Sequence, residues 1–397
     1  MILDYVNSYV NMQCHRILKR TRRLMSTLPS STPRISCHMP SRTLIHVHGI
    51  ESTHFLQGLL TNDIENNINS GDAVFTHLLN NKGRAMFEAF VAVPNPNSAL
   101  ASNDSNVGSY LLECHVDVVP KLMRHLKMHK LRSKVKITNL TETHDVWWSS
   151  HGETEATIKQ DLLCSFNDPR ATTLGHRTFT TKGTLPMITI NEQEEENQLG
   201  EHVPSVEAAY NMLRLLHGAL EGTEVDGVIP LEVNLDLLNG VVFDKGCYLG
   251  QELTARTHYR GLLRKRCFPV VFNNDSNSED DPQQAFELSP TEAQHIAYGN
   301  SKNEIYEIQK NMGIQYNQNT VSINTTIKNN GKKRAGKILT DHTMTPGNVG
   351  IALLRLEHVT GVSSETDSGD EAQVPERLLT VDEEELRNVR PVVLKYF

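Results

Sequence analysis

Apolar residues in this chain arrive in short runs bounded by turn-forming residues, which confines it to a fold of short strands with a few packed helices. Period-two alternation reads as strands at 43–48, 75–79, 86–93 and 110–114. The strands at 75–79 and 86–93 flank the polar turn Asn80-Asn81-Lys82-Gly83 and read as a pair. Gly49 closes the first strand, and a helix follows over 53–60 with Ser52 or Thr53 to cap it. A second helix spans 118–130, with Asp117 as cap, Pro120 in its first turn, and Val119, Leu122, Met123 and Leu126 as its apolar stripe.

The same texture returns after Val135. Strands are predicted at 145–149 and 185–190, and a helix over 204–217 carries Val206, Tyr210, Leu213 and Leu216 at helical spacing. Two α+β halves follow from this order, although their sequences do not visibly repeat. Short strands at 267–272, 336–340, 350–356 and 391–396 then suggest a small β-barrel or sandwich. It is interrupted by a polar stretch at 273–334, read as a weakly ordered insertion, and by another at 361–377. The division is therefore 1–42, 43–260 and 261–397, in line with two or three packing units for 397 residues.

Residues 1–42 stand apart. Asp4 is their only acid, beside Arg16, Lys19, Arg20, Arg22, Arg23, Arg34, Arg42 and many serines, which is the composition of a mitochondrial transit segment. Met12 and Met25 are alternative starts. The net charge of −8 gives no global attraction to nucleic acid. No run reaches the ~18 apolar residues of a membrane span. The six cysteines form no C-x-x-C pair, which argues against a zinc ribbon or dithiol motif and for reduced thiols.

The stretch richest in chemistry is 239–256, Asn-Gly-Val-Val-Phe-Asp-Lys-Gly-Cys-Tyr-Leu-Gly-Gln-Glu-Leu-Thr-Ala-Arg. Cys247 lies between Gly246 and Gly250, two residues after Lys245. Glycines permit sharp turns and close approach of a ligand, and a nearby cation favours the thiolate. If the following segment is helical, Glu252 and Arg256 share a face at i, i+4.

This motif resembles the signature of the YgfZ family, Lys-Gly-Cys-aromatic-x-Gly-Gln-Glu followed by arginine, and matches it at Lys245, Gly246, Cys247, Tyr248, Gly250, Gln251, Glu252 and Arg256. Further segments look like the family in the expected order: 55–63, 80–84, Asp168-Pro-Arg170, Leu174-Gly-His-Arg177, 213–218, Glu221-Gly222, Pro230-Leu-Glu232 and 350–355. The resemblance covers roughly 43–272 and 335–357; the insertion departs from it. It implies an α+β fold like that of the glycine-cleavage aminomethyltransferase (GcvT): an N-terminal portion of two ferredoxin-like halves and a C-terminal β-barrel. It also implies a matrix protein that assists maturation of mitochondrial [4Fe–4S] proteins, with A-type iron–sulfur carriers and [4Fe–4S] client enzymes as partners. Tetrahydrofolate is the implied cofactor, with no stably bound metal.

Within that resemblance Cys247 is the functional thiol, with Lys245 beside it. Glu232 takes the place of the glutamate that holds a pterin, where one carboxylate accepts two parallel hydrogen bonds. Asn62, Asp63, Arg84, Tyr248, Gln251, Glu252 and Arg256 are the further pocket residues. The alternatives are a folate-dependent aminomethyl transferase and an adaptor with a vestigial folate pocket.

Three other features are weaker. His46 and His48 face the same way on a strand but lack a third metal ligand. Residues 331–337 have phosphate-friendly residues without the Walker order. The basic run 260–266 suits either a solvated turn or an anionic ligand tail.

Overall fold

Residues 36–69, 72–102, 104, 106–150, 162–184, 206–273, 286–288, 326–329, 333–340, 349–356, 379–381 and 387–394 are described by the computed structural model. The chain opens with β1 (Ser36–His38), β2 (Arg42–Gly49), α1 (Ser52–Gln57), β3 (Ala73–Leu79), β4 (Ala85–Ala92), β5 (Gly108–His115), α2 (Val119–Lys130) and β6 (Lys136–Asn139). It continues through β7 (His144–Ser149), β8 (Leu162–Asn167), β9 (His176–Thr181), α3 (Val206–Leu216) and α4 (Gln251–Arg260).

One antiparallel sheet has the order β3-β4-β5-β2-β6, and a second has the order β1-β7-β9-β8. Both faces of the first sheet are buried, so alternation here sorts side chains between two cores. Ile45, Val47, Leu78, Phe87, Ala89, Val91 and Leu112 pack on Phe55 and Leu56 of α1 and on Leu122 and Leu126 of α2. Leu44, Phe75, Leu79, Phe90, Ala92 and Leu111 turn the other way, toward Val146, Trp148 and Phe179 of the second sheet and Tyr210, Leu213 and Leu216 of α3.

Between the two sheets lies a buried network of charge. Arg42 bonds Glu88 (2.7 Å) and Glu113 (2.8 Å), and Arg170 bonds Asp168 (2.8 Å) and Glu221 (2.7 Å). Arg177 bonds Glu113 and the Tyr210 hydroxyl, and stacks over Phe90 at 4.1 Å. Arg214 and Glu224 close the cluster at 2.8 Å. Burial pushes the Glu221 carboxyl up, but Arg42, Arg170, Arg177 and Arg214 overwhelm that and hold it well below the usual carboxylate range. Glu113 keeps a raised pKa, because burial outweighs its two arginines, and its Oε2 has no hydrogen-bond partner among the described residues.

The C-terminal strands are β10 (Lys265–Asn273), β11 (Phe286–Leu288), β12 (Thr326–Asn329), β13 (Lys333–Ile338), β14 (Val349–Arg355), β15 (Leu379–Val381) and β16 (Arg387–Leu394). They run in the order β10-β14-β13-β12-β15-β16-β11, and β16 also pairs back to β10. Alternation again divides the labour: Phe268, Val270, Ile327, Ala335, Ile338, Ala352 and Leu354 form a core of their own. Cys267, Val271, Ile351 and Leu353 face outward and join the core built on the two sheets.

Several expectations are corrected. The boundary at 42 falls inside the fold, because β1 pairs with β7 and Arg42 is a core cation. Polar stretch 273–334 holds β11 and β12, which pair with β16, β13 and β15. Asp117 does not cap α2: it sits in a 3-10 turn and its N–H donates to the His115 ring at 3.2 Å. Neither Ser52 nor Thr53 caps α1, since Ser52 Oγ lies 2.8 Å from the Gly49 and Gly108 carbonyls and Thr53 Oγ1 bonds the Tyr110 hydroxyl. The strand expected at 185–190, residues 1–35 and the polar stretch at 361–377 lie outside the described residues. No helix among the described residues is long and apolar enough to cross a membrane.

Candidate functional site

The loop from Asn239 to Gly250 is fastened along its length to the residues that leave α1. The Asn239 carbonyl accepts from Asn62 Nδ2 (2.7 Å), and the Gly240 carbonyl accepts from Thr61 Oγ1 (2.7 Å). Val242 N–H donates to the Thr61 carbonyl (3.1 Å), and Leu249 N–H to the Gly58 carbonyl (2.9 Å). Lys245 reaches inward and donates to the carbonyls of Gln57 (2.9 Å), Leu60 (2.8 Å) and Asn62 (2.7 Å). An ammonium has three donors, so none is left for the Cys247 sulfur. Lys245 thus fastens the loop through all three donors, and its charge stays two residues from Cys247 in the sequence. Burial lowers its pKa to about 8 despite Asp63 and Glu65.

The far end of the loop is set by a glycine contact. Gly250 has φ +78 and starts α4, and a Cβ there would lie 2.4 Å from the Asn80 carbonyl oxygen. Gly83, at φ +75, faces it: a Cβ there would lie 2.5 Å from Leu253 Cβ and 2.7 Å from the Gly250 carbonyl. Only glycine satisfies both the left-handed backbone and this approach. The Asn80–Gly83 turn and the cysteine loop, distant in chain order, therefore meet. Gly246 differs, since a Cβ there would meet nothing within 4 Å.

Cys247 stands exposed on this pinned loop. Cys37, Cys114, Cys164 and Cys267 are free but buried, and burial pushes the thiols of the last three up. Among the described cysteines, Cys247 alone is open to a reactant or a metal.

The remaining predicted residues fall into three places. Asn62, Asp63 and Tyr248 are internal. Asn62 also donates to the Phe75 carbonyl, and Asp63 accepts from Gln57, Glu65 and Asn66. Burial raises the Asp63 pKa, and these hydrogen bonds more than reverse it. Tyr248 is 8% exposed, lies 5.1 Å from Lys245 Nζ across its ring face, and has its phenol pushed up to about 12 by burial. Glu232 and Arg84 come together elsewhere. Glu232 lies half-buried in the 3-10 turn Pro230–Val233, beside the charges of Lys265, Arg84 and Lys337. Burial raises its pKa against those cations, and no described residue donates a hydrogen bond to its carboxylate. Arg84 also donates to the Gly227 carbonyl at 2.8 Å. Glu252 and Arg256 stand exposed on α4, 4.0 Å apart at the expected i, i+4 spacing, and Gln251 begins that helix.

The reading of residues missed what holds the site: the arginine–carboxylate network and the glycine contact. The segments 168–170, 174–177, 213–218 and 221–222 contribute Asp168, Arg170, Arg177, Arg214 and Glu221 to one cluster, but nothing in local sequence says that they meet. No group of three or more His, Cys, Asp or Glu among the described residues is placed to hold a metal ion.

Comparison with known proteins fits this architecture. The CAF17 C-terminal beta-barrel domain matches residues 264–394. Mitochondrial iron-sulfur cluster assembly factor IBA57 homologs from Aspergillus oryzae and Aspergillus fumigatus are 30% identical over 379 residues and 31% identical over 389 residues. Those matches cover 87% and 88% of this chain and 76% and 79% of the relatives. The chain belongs to the IBA57 family. The Dictyostelium discoideum homolog of IBA57 is 35% identical over 264 residues, which cover 60% of this chain and 63% of that protein. IBA57 membership bears out the expected assembly-factor branch and mitochondrial placement. Glycine cleavage system aminomethyltransferase T from Bartonella henselae aligns with TM-score 0.53 at 11% identity, over 92% of this chain and 86% of that one. That likeness establishes the expected GcvT-like fold.

Proposed function

We propose that this protein assists maturation of [4Fe–4S] proteins in the mitochondrial matrix, with Cys247 as its working thiol and a reduced folate bound near Glu232. The observation that carries the reading is the contrast between Cys247 and its loop. Every fixed element around it is tied down, while the thiol itself is exposed and carries no packing role. A rigid mount and an open soft ligand suit transient contact with iron or with a partner's cluster. A-type iron–sulfur carriers and [4Fe–4S] client enzymes are the partners this role requires.

The residues also fit a folate. Glu232 offers a half-buried carboxylate whose oxygens receive no hydrogen bond from the described residues, as the two N–H groups of a pterin edge require. The charges of Lys265, Arg84 and Lys337 oppose the burial that raises its pKa. A bound pterin would supply a one-carbon carrier or a structural plug; Glu232 would orient it.

Cys247→Ser tests the central claim, because it keeps size and removes softness and acidity. In cells lacking the protein, this variant is expected at normal abundance but without restoration of aconitase activity or lipoylation. Full rescue would show that the thiol is dispensable, and Cys267→Ser controls for general thiol loss.

A further inference from the structure

Leu131 ends α2 in a conformation that leucine rarely takes. It is the C-cap residue, at φ 45 and ψ −111, where glycine is the usual occupant. Its side chain is 85% exposed, so burial does not offset the strain. A bulky apolar residue held this way at the surface points to a role outside the fold.

Two more apolar side chains stand beside it. Met128, one helical turn earlier, is 62% exposed, and Ile50 is 58% exposed. Ile50 lies between Gly49 and Glu51, and both of these touch the turn that follows Leu131. A Cβ on Gly49 would lie 2.2 Å from the Lys134 carbonyl oxygen, and the Glu51 carboxylate accepts from the Lys134 N–H. Glu51 and Leu131 also line one shallow hollow, with Arg132 and Ser133. One end of the first sheet therefore carries three of the five large apolar side chains that stay exposed among the described residues.

Cations outnumber acids around them. Lys127, Lys130, Arg132, Lys134 and Lys136 fall within ten positions, and 118–141 holds no Asp or Glu. The carboxylates on the neighbouring turns are Glu51 and Asp104, the latter accepting from Asn106. Five cations against two carboxylates leave this end positive in a chain of net charge −8. Glu65, past α1, acts on Lys245. Asp117 and the Lys121–Asp226 pair lie at the other end of α2, whose twelve residues span about 18 Å. Lys127 and Lys130 also suit the helix dipole, but Arg132, Lys134 and Lys136 lie past the helix.

We propose that Ile50, Met128 and Leu131, flanked by Lys127, Arg132 and Lys134, seat this end of the protein on an anionic phospholipid bilayer, with the three apolar side chains inserted among the lipids. Partition of aliphatic groups, joined to attraction of lysines by anionic headgroups, is how interfacial proteins bind without a spanning helix. A bilayer fits better than a protein, because the anchors are aliphatic and protein hot spots favour Trp, Tyr and Arg. It fits better than a nucleic acid, because no Phe, Tyr or Trp lies between Tyr110 and Trp147 to stack on bases.

The test is co-sedimentation of the full chain with vesicles of phosphatidylcholine, alone or mixed with cardiolipin. The basic residues before 36 attract anionic lipid themselves, so the readout is the difference between variants that share them. Leu131→Gly is expected to lower affinity for the mixed vesicles at least about fivefold. Its melting temperature should hold or rise, since glycine suits the backbone there. Lys127→Glu with Arg132→Glu is expected to weaken binding at least about tenfold and to flatten its dependence on salt between about 0.05 M and about 0.5 M. Unchanged affinity in both variants would overturn the proposal. So would a Leu131→Gly chain that melts lower and binds as before, or a loss confined to self-association or to RNA. Cys247→Ser should bind vesicles like the unaltered chain, so this result is read apart from the role of the thiol.

Discussion

At the scale of single residues, Lys245 and Glu232 show opposite uses of a charged side chain. Lys245 gives all three donors to the chain, so Lys245→Met leaves three carbonyls unanswered and removes charge-assisted bonds worth about 2–4 kcal/mol together after compensation by water. The urea midpoint should fall accordingly and proteolysis near Cys247 should quicken; an unchanged midpoint would mean that the loop is held by its backbone alone. Glu232 is bonded by no described donor and is available for a ligand. Glu232→Gln replaces one acceptor by a donor, so tetrahydrofolate affinity should drop about tenfold to a hundredfold in calorimetry, for a loss of about 1–3 kcal/mol. Equal affinity would take Glu232 out of the site.

Among elements, the strands inside the polar stretch at 273–334 matter most. β12 bonds to β13 on one side and β15 on the other, so the pairing around the barrel passes through it. Replacing 273–334 as a whole by a flexible linker should abolish cooperative unfolding of the C-terminal strands. Replacing only 289–325 by about ten residues, with a reach of about 30 Å, should retain it. Calorimetric melting of the two variants checks this, and equal behaviour would show that β12 is expendable. The polar composition of the stretch was legible and its two short strands were not, because among the described side chains β12 supplies only Ile327 to the core and relies on backbone pairing for the rest.

For the whole molecule, the distribution of protons sets stability. Burial lowers the pKa of His46, His77, His125, His176 and His217 from 6.5 to about 4. Unfolded, each would take a proton near 6.5, so between about pH 6.5 and 4 the unfolded chain binds more protons than the folded one. The stability these neutral rings contribute is therefore complete above pH 6.5 and is lost as pH falls toward 4. Each can account for at most about 3 kcal/mol. Urea midpoints measured at pH 7.5, 6 and 5 should decline, and His77→Gln should make the decline shallower. A midpoint that stays level down to pH 5 would contradict this account.

Local sequence sufficed for β2 to β5, α1 and α2, whose boundaries move by a residue or a few, because their apolar spacing is regular; it did not reveal β6, nor that β2 pairs with the distant β5. It also sufficed to pick out Cys247, through glycines and a polar setting that no packing pattern explains. It did not reveal β8 and β9, whose Ser165, His176, Arg177, Thr178 and Thr180 carry polar groups on a strand that the fold buries. Nor did it show that Arg42, assigned by composition to a targeting segment, anchors the centre of the molecule through Glu88 and Glu113. Composition records that a charge exists. Whether it meets water, a carbonyl or a carboxylate from 46 or 71 residues away is decided only when the sheets close over it.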